Sequence, residues 1–153
     1  MTSHFVSTAI VTILAAWLPL PALADGSCTL TSPVGIGFGS YDVFSVAPNR
    51  SGVGRLTIDC NGVHRQAVVV SLSTGYSNSY AVRRMVSGRN ALNYNLYTSA
   101  SRAVVWGDGT GGSHTMTVAG DATTTLSVFG QIPAGQDAAV GSYTDSILET
   151  VEF

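Results

Sequence analysis

Arg55-Leu-Thr-Ile-Asp59 and Gln66-Ala-Val-Val-Val-Ser-Leu72, joined by a link that holds Asn61-Gly62, decide the fold class of this chain. Leu56 and Ile58 share one face while Arg55, Thr57 and Asp59 share the other, the period-two pattern of a strand with one buried side. The second run alternates likewise. Asn61-Gly62 tolerates the positive φ values of a tight turn, so the two strands are expected to pair as an antiparallel hairpin. Further short runs with β-branched or aromatic residues, bounded by Gly, Asn, Asp or Pro, extend the pattern in both directions. The expected strands are Cys28 to Thr31, Gly54 to Cys60, Ala67 to Ser73, Leu92 to Thr98, Ala103 to Trp106, Ser113 to Val118, Thr124 to Gln131 and Tyr143 to Phe153. No window of helix length carries apolar residues at helical spacing. The chain therefore reads as all-β, with hairpins stacking into an Ig-like β-sandwich. Between these runs, Tyr76 to Asn90 holds Arg83, Arg84 and Arg89 with few apolar residues and reads as a long solvated connection.

Ahead of the strands, residues 1–24 have the layout of a secretory signal peptide. The apolar stretch Ala9 to Leu18 is followed by Pro19, Pro21 and the small-x-small Ala22-Leu-Ala24, and it is too short and interrupted to span a bilayer. Cleavage after Ala24 leaves residues 25–153 as one domain, without a later transmembrane segment. Lys is absent, and seven Arg face nine Asp plus Glu, so the basic patch of a nucleic-acid-binding protein is missing. Export exposes the chain to an oxidising compartment, where its two cysteines, Cys28 and Cys60, are expected to bond to each other. Closing that loop is worth about 3–4 kcal/mol on the chain-entropy model.

Nothing in the sequence assembles an enzyme site, a metal site or a cofactor site. Gly35-Ile-Gly-Phe-Gly39 is neither a dinucleotide fingerprint nor a Walker A loop, and is expected to supply bends around a buried Phe38. Trp106-Gly-Asp-Gly-Thr-Gly-Gly112 offers one carboxylate where calcium takes six to eight oxygens, and reads as a hairpin turn between Ala103–Trp106 and Ser113–Val118. His64 and His114 lack the spacing of a metal pair, and no serine sits in a nucleophile elbow. Asn49-Arg-Ser51 matches a glycosylation triplet and is assigned no role.

The last stretch, Tyr143 to Phe153, places Ile147, Val151 and Phe153 on one face, interrupted by Glu149, with Leu148 on the other. A strand at a terminus frays unless its edge is paired or covered. The whole pattern resembles the spore coat protein U domain family, which includes the pilins of archaic chaperone-usher systems. The resemblance rests on Cys28, Phe38-Gly39, Tyr41-Asp42, Cys60, Leu92 with Tyr94-Asn-Leu-Tyr97, Trp106-Gly-Asp-Gly109, Val128-Phe-Gly130, Ile132-Pro133, Gly135-Gln136, Gly141, Tyr143 and Asp145. It implies an incomplete sandwich completed by a donor strand. The strand comes first from a periplasmic chaperone and then from another pilus or coat subunit, with an outer-membrane usher as a further partner. Ile147, Val151 and Phe153 are then expected beside the inserted strand, and the product is expected at the cell surface as a fimbrium or coat. Such pilins carry a donor strand ahead of the first cysteine, whereas cleavage after Ala24 leaves Asp25-Gly-Ser27, too short for a strand. A terminal or minor subunit is the corresponding expectation. The alternative is an adhesin module that binds a surface or glycan through Tyr76, Tyr80 or Tyr97.

Overall fold

Alternation along Val53–Asn61 (β2) buries Leu56, Ile58 and Cys60, and along Ala67–Leu72 (β3) it buries Val68, Val70 and Leu72, so both strands turn an apolar face to one core. They do not form the expected hairpin. β2 lies in a five-stranded sheet and β3 in a three-stranded one, all neighbours within each sheet being antiparallel. Gly62 does take a positive φ of 73°, but the turn it makes carries the chain from one sheet to the other. The reason is non-local: both edges of β2 are already taken, by Ser27–Leu30 (β1) on one side and Thr123–Gln131 (β7) on the other.

The structure, a computed structural model, describes residues 26–31, 35–63 and 66–153. The expected leader, its cleavage point after Ala24 and His64 lie outside the described residues. Among the described residues there is no α-helix, and a single 3-10 turn covers Gly75–Ser77. No helix among them is long and apolar enough to cross a membrane. The larger sheet runs β1-β2-β7-β5-β4, with β4 at Arg83–Ser87 and β5 at Asn90–Tyr97; the smaller runs β6-β3-β8, with β6 at Met116–Ala119 and β8 at Glu149–Glu152. Cys28 faces Cys60 across β1 and β2, and the two form the expected disulfide, fastening the edge strand to its neighbour.

β4 corrects the solvated connection read over Tyr76 to Asn90. Ser87 pairs with Asn90 across the two-residue turn Gly88-Arg89, and Gly88 has φ of 58°, the first turn position where a type II′ hairpin needs a positive φ. The strand puts Arg83 and Met85 inside and Arg84 outside, so arginine on an inward position concealed the alternation. The expected hairpin around residues 107–112 is also absent. His114 bridges Trp106 in parallel, and only Met116–Ala119 continues as a strand. The long Gly-rich loop brings the chain back beside itself in the same direction. Its Asp108 carboxylate accepts from the backbone N–H and hydroxyl of Thr110 at 2.8 and 2.7 Å, which holds it below the usual carboxylate range and gives it a loop-shaping role.

Trp106 ties the two layers. Its side chain is 0% exposed, its indole N–H donates to Val70 O of β3 at 3.0 Å, and its backbone N–H donates to Leu96 O of β5 at 2.9 Å. A buried indole keeps its polar edge satisfied in this way while its rings fill the space between the sheets.

Candidate functional site

The final strand is shorter than expected. Tyr143 to Phe153 switches layers: Thr144 exchanges two backbone hydrogen bonds with Val86 of β4 in the large sheet, and β8 then pairs with β3 in the small one. Between those points Asp145 is the pivot. Its carboxylate accepts from the N–H groups of Tyr76 and Ser146 at 3.0 and 2.7 Å and from the hydroxyl of Tyr94 at 2.7 Å. Burial, then the hydrogen bond to Asp145, pushes the Tyr94 hydroxyl far above its usual range, so it stays a donor. Gly75, at φ of 63°, lies so close to this carboxylate that a β-carbon there would collide with it.

Beside the pivot the sandwich is open. A cavity of about 330 Å³ lies between Met85, Tyr94, Leu96 and Val128 of the large sheet and Leu72 of the small one. Ile36 and Phe38 line one side, Tyr143, Ile147 and Glu149 the other. A second cavity of about 650 Å³ shares Ile36, Phe38, Met85 and Tyr143 with the first and reaches Leu92 and Ile132. Sharing these residues, the two cavities lie next to each other between the segments 35–44 and 138–149 as a groove whose lining mixes apolar and polar groups. Of β8, Glu149 lines it, and β8 has β3 on one side and no other strand among the described residues on the other. Ser73 N–H donates to Leu148 O at 2.9 Å, which makes that pair a hydrogen-bonded one. The alternation of an antiparallel ladder then turns the backbone N–H and C=O of Glu149 and Val151 away from β3, towards the open side.

Fixed loops build the groove's other wall. Phe38 is seated between Gly52 and Gly130, where any β-carbon would strike its ring, and it meets Tyr94 edge to face at 5.7 Å. Asn49 and Ser51 hold this segment: Asn49 Nδ2 donates to Phe38 O and Ser40 O at 3.0 and 3.2 Å, and Ser51 Oγ donates to Phe38 O at 2.6 Å. The apparent glycosylation triplet is thus a backbone clamp. Tyr41 hydroxyl donates to Pro133 O at 2.9 Å and accepts from Gln136 N–H at 3.0 Å, while the Gln136 carboxamide pairs with the backbone of Asn93. Residues scattered through the sequence motif therefore meet in space as the frame of one groove.

Of the expected groove residues, Ile147 lines the cavity, Val151 is half-buried on the same face of β8, and Phe153 is exposed at the end of the strand. Leu72, Met85, Tyr94, Leu96 and Val128 also line the cavity; alternation in the sequence marks Leu72 as inward, Met85 lies in the segment read as a solvated connection, and no strand by itself indicates which part of the core is open. Glu149, which registers in the sequence only as an interruption, lines it as well. Of the aromatics considered for surface binding, Tyr76 is exposed, whereas Tyr80 lies against the Arg83 guanidinium at 5.3 Å and Tyr97 sits within β5.

Comparison with known proteins bears on the fold and the family. The family model described as Spore Coat Protein U domain matches residues 14–150. Protein U of Myxococcus xanthus is 26% identical over 145 residues, covering 86% of this chain and 80% of that protein. Among solved structures, similarity is found to a chain in the crystal structure of the CsuC-CsuE chaperone-tip adhesion subunit pre-assembly complex, from archaic chaperone-usher Csu pili of Acinetobacter baumannii. That chain matches with a TM-score of 0.59 at 21% identity over 84% of this chain, and this chain spans 40% of its length. At that identity the likeness is one of fold. With its two antiparallel sheets, its disulfide and a family match over nearly its whole length, the chain belongs to the Spore Coat Protein U domain family.

Proposed function

We propose that this chain is a structural subunit of a bacterial surface fibre or coat, exported through the periplasm after cleavage at Ala24. In this reading its groove accepts a β-strand, first from a chaperone and then from a neighbouring subunit, with an usher passing it outward. One observation carries the reading: a partly apolar groove between the sheets reaches Ile147 and Glu149 at the start of a last strand whose outer edge has no strand partner among the described residues. Such an edge is a template for strand addition, in which main-chain hydrogen bonds supply affinity and inward side chains supply fit. Family membership and the fold shared with a pilus-subunit chain support the same reading. It assigns the groove a role in assembly and gives the chain no catalytic role.

Periplasmic co-expression with and without the cognate chaperone tests it. A one-to-one complex in its presence and aggregation in its absence are expected, because an unfilled, partly apolar groove is a sticky surface. A soluble, monodisperse chain purified alone would contradict it, and the adhesin-module reading would then be examined by glycan and surface binding through Tyr76. Intact mass of the subunit from the complex gives the mature start, expected at Asp25, and with it whether a donor segment precedes Cys28, as the terminal or minor position requires it not to.

A further inference from the structure

We propose that the accepted strand is selected by charge: opposite Glu149 it carries a basic side chain, flanked at the inward positions on either side by apolar ones. The inference rests on the strand-accepting reading above and specifies the chemistry of the partner.

Ile147, Glu149 and Val151 occupy alternate positions on one face, and all three are partly buried, while Leu148 and Thr150 point outward. Ile147 and Glu149 line the cavity, and Glu149 is paired in register with the buried Leu72 of β3. A strand added along the open edge of β8 places its own inward side chains directly across from these three. Two of those positions call for apolar residues. The third meets a carboxylate, and the new strand removes the remaining water from it.

The other charged groups at the cavity do not serve Glu149. Asp145 is occupied by Tyr76, Tyr94 and Ser146. Arg55 lines the same cavity but makes no ion pair with Glu149, and burial raises the Glu149 carboxyl above its usual range with no opposing pull from a neighbouring cation. A buried carboxylate without a partner is costly, whereas one that receives a charge-assisted hydrogen bond is not. An incoming Arg or Lys supplies that bond, an apolar residue leaves the carboxylate stranded, and an acidic one adds repulsion. The i, i+2, i+4 pattern apolar–basic–apolar is the resulting specification.

Synthetic donor peptides test the pattern on the purified chaperone–subunit complex, with strand exchange followed by native mass spectrometry. Peptides of about nine residues carry a Val-Thr-Xaa-Thr-Val centre in which Xaa is Arg, Leu or Glu. A control of equal charge moves the Arg to an outward position. The expected order is Arg, then Leu, then Glu, with the inward Arg peptide captured about tenfold more tightly than the Leu peptide and the outward-Arg control. In Glu149→Gln the Arg preference collapses. Equal or weaker capture of the inward Arg peptide, or an unchanged preference in Glu149→Gln, overturns the charge rule while leaving the groove intact. Failure of every peptide to enter overturns the strand-accepting reading itself. The peptide series on the unmodified complex decides the matter even where the variant does not fold.

Discussion

Replacing Arg83 by Met tests the packing of the sandwich at its least expected point. Arg83 is 0% exposed, and its guanidinium donates from Nε and Nη2 to Ser73 O at 2.9 and 2.7 Å, from Nη2 to Trp106 O at 2.7 Å and from Nη1 to Asn95 Oδ1 at 2.7 Å. Ser73 follows β3, Asn95 lies in β5 and Trp106 joins the layers, so one side chain crosslinks three parts of the fold. Met fills much of the volume but strands two carbonyls, while Asn95 Oδ1 keeps its bond from Leu96 N–H at 2.9 Å. At about 1–3 kcal/mol for each buried acceptor left unmade, the loss is about 2–6 kcal/mol. Relief of the charge's own burial, which pulls the Arg83 pKa below its usual value, offsets part of this and leaves about 3 kcal/mol. For a domain of this length that lowers the melting temperature by roughly 10 °C. Differential scanning calorimetry of the chaperone-bound protein reads it, with Arg84→Met on the outward face as a control expected within about 0.5 kcal/mol of wild type. A melting temperature for Arg83→Met within about 2 °C of that control would refute the buried network.

Three further perturbations probe other parts of the account. Gly130→Ala forces a β-carbon into the Phe38 ring and should cost about 1–3 kcal/mol of stability by overpacking, read as a lowered denaturant midpoint. Replacing Cys28 and Cys60 together by Ser frees a loop with a sequence separation of 32 and should lower stability by about 3–4 kcal/mol, measured against the oxidised protein. Glu149 has a raised pKa in the folded protein, so its contribution to stability is fully present below the ordinary glutamate range and is lost as pH rises through the raised native value. Glu149→Gln should flatten the pH dependence of the melting temperature across that window, and an unchanged profile would show that burial does not act on this carboxyl.

The alternation of β2 and β3 was legible because each carries its own periodic pattern, β5 and β7 were legible as β-branched and aromatic runs bounded by turn residues, and those four supply most of the core. Pairing was less legible, since it depends on residues distant in the chain. Asn61-Gly62 has the chemistry of a hairpin turn, yet β1 and β7 occupy both edges of β2, so a local preference yields to a non-local one. β4 was hidden because arginine normally marks solvent, and only the acceptors on Ser73, Asn95 and Trp106, gathered by tertiary structure, make an inward Arg83 tenable. The same limit applies to the groove. Ile147 and Val151 were legible from their alternation, and the pairing of Cys28 with Cys60 from their number, but the cavity between Leu72, Leu96 and Val128 depends on how two sheets fail to close, which no single strand records. Tyr41, Asn49, Gln136 and Asp145 hold the rim through contacts to backbone groups far away in sequence, so their roles emerge only once the fold is built.

Amide hydrogen exchange along β8 in the chaperone-bound subunit tests the central claim most directly. An added strand bonds the open side of β8, so the N–H groups of Glu149 and Val151 should be protected to a degree comparable with those of Thr150 and Glu152, which face β3. Rapid exchange at Glu149 and Val151 in an intact complex, with Thr150 and Glu152 protected, would contradict it and leave β8 as a bare edge of a sandwich that needs no partner.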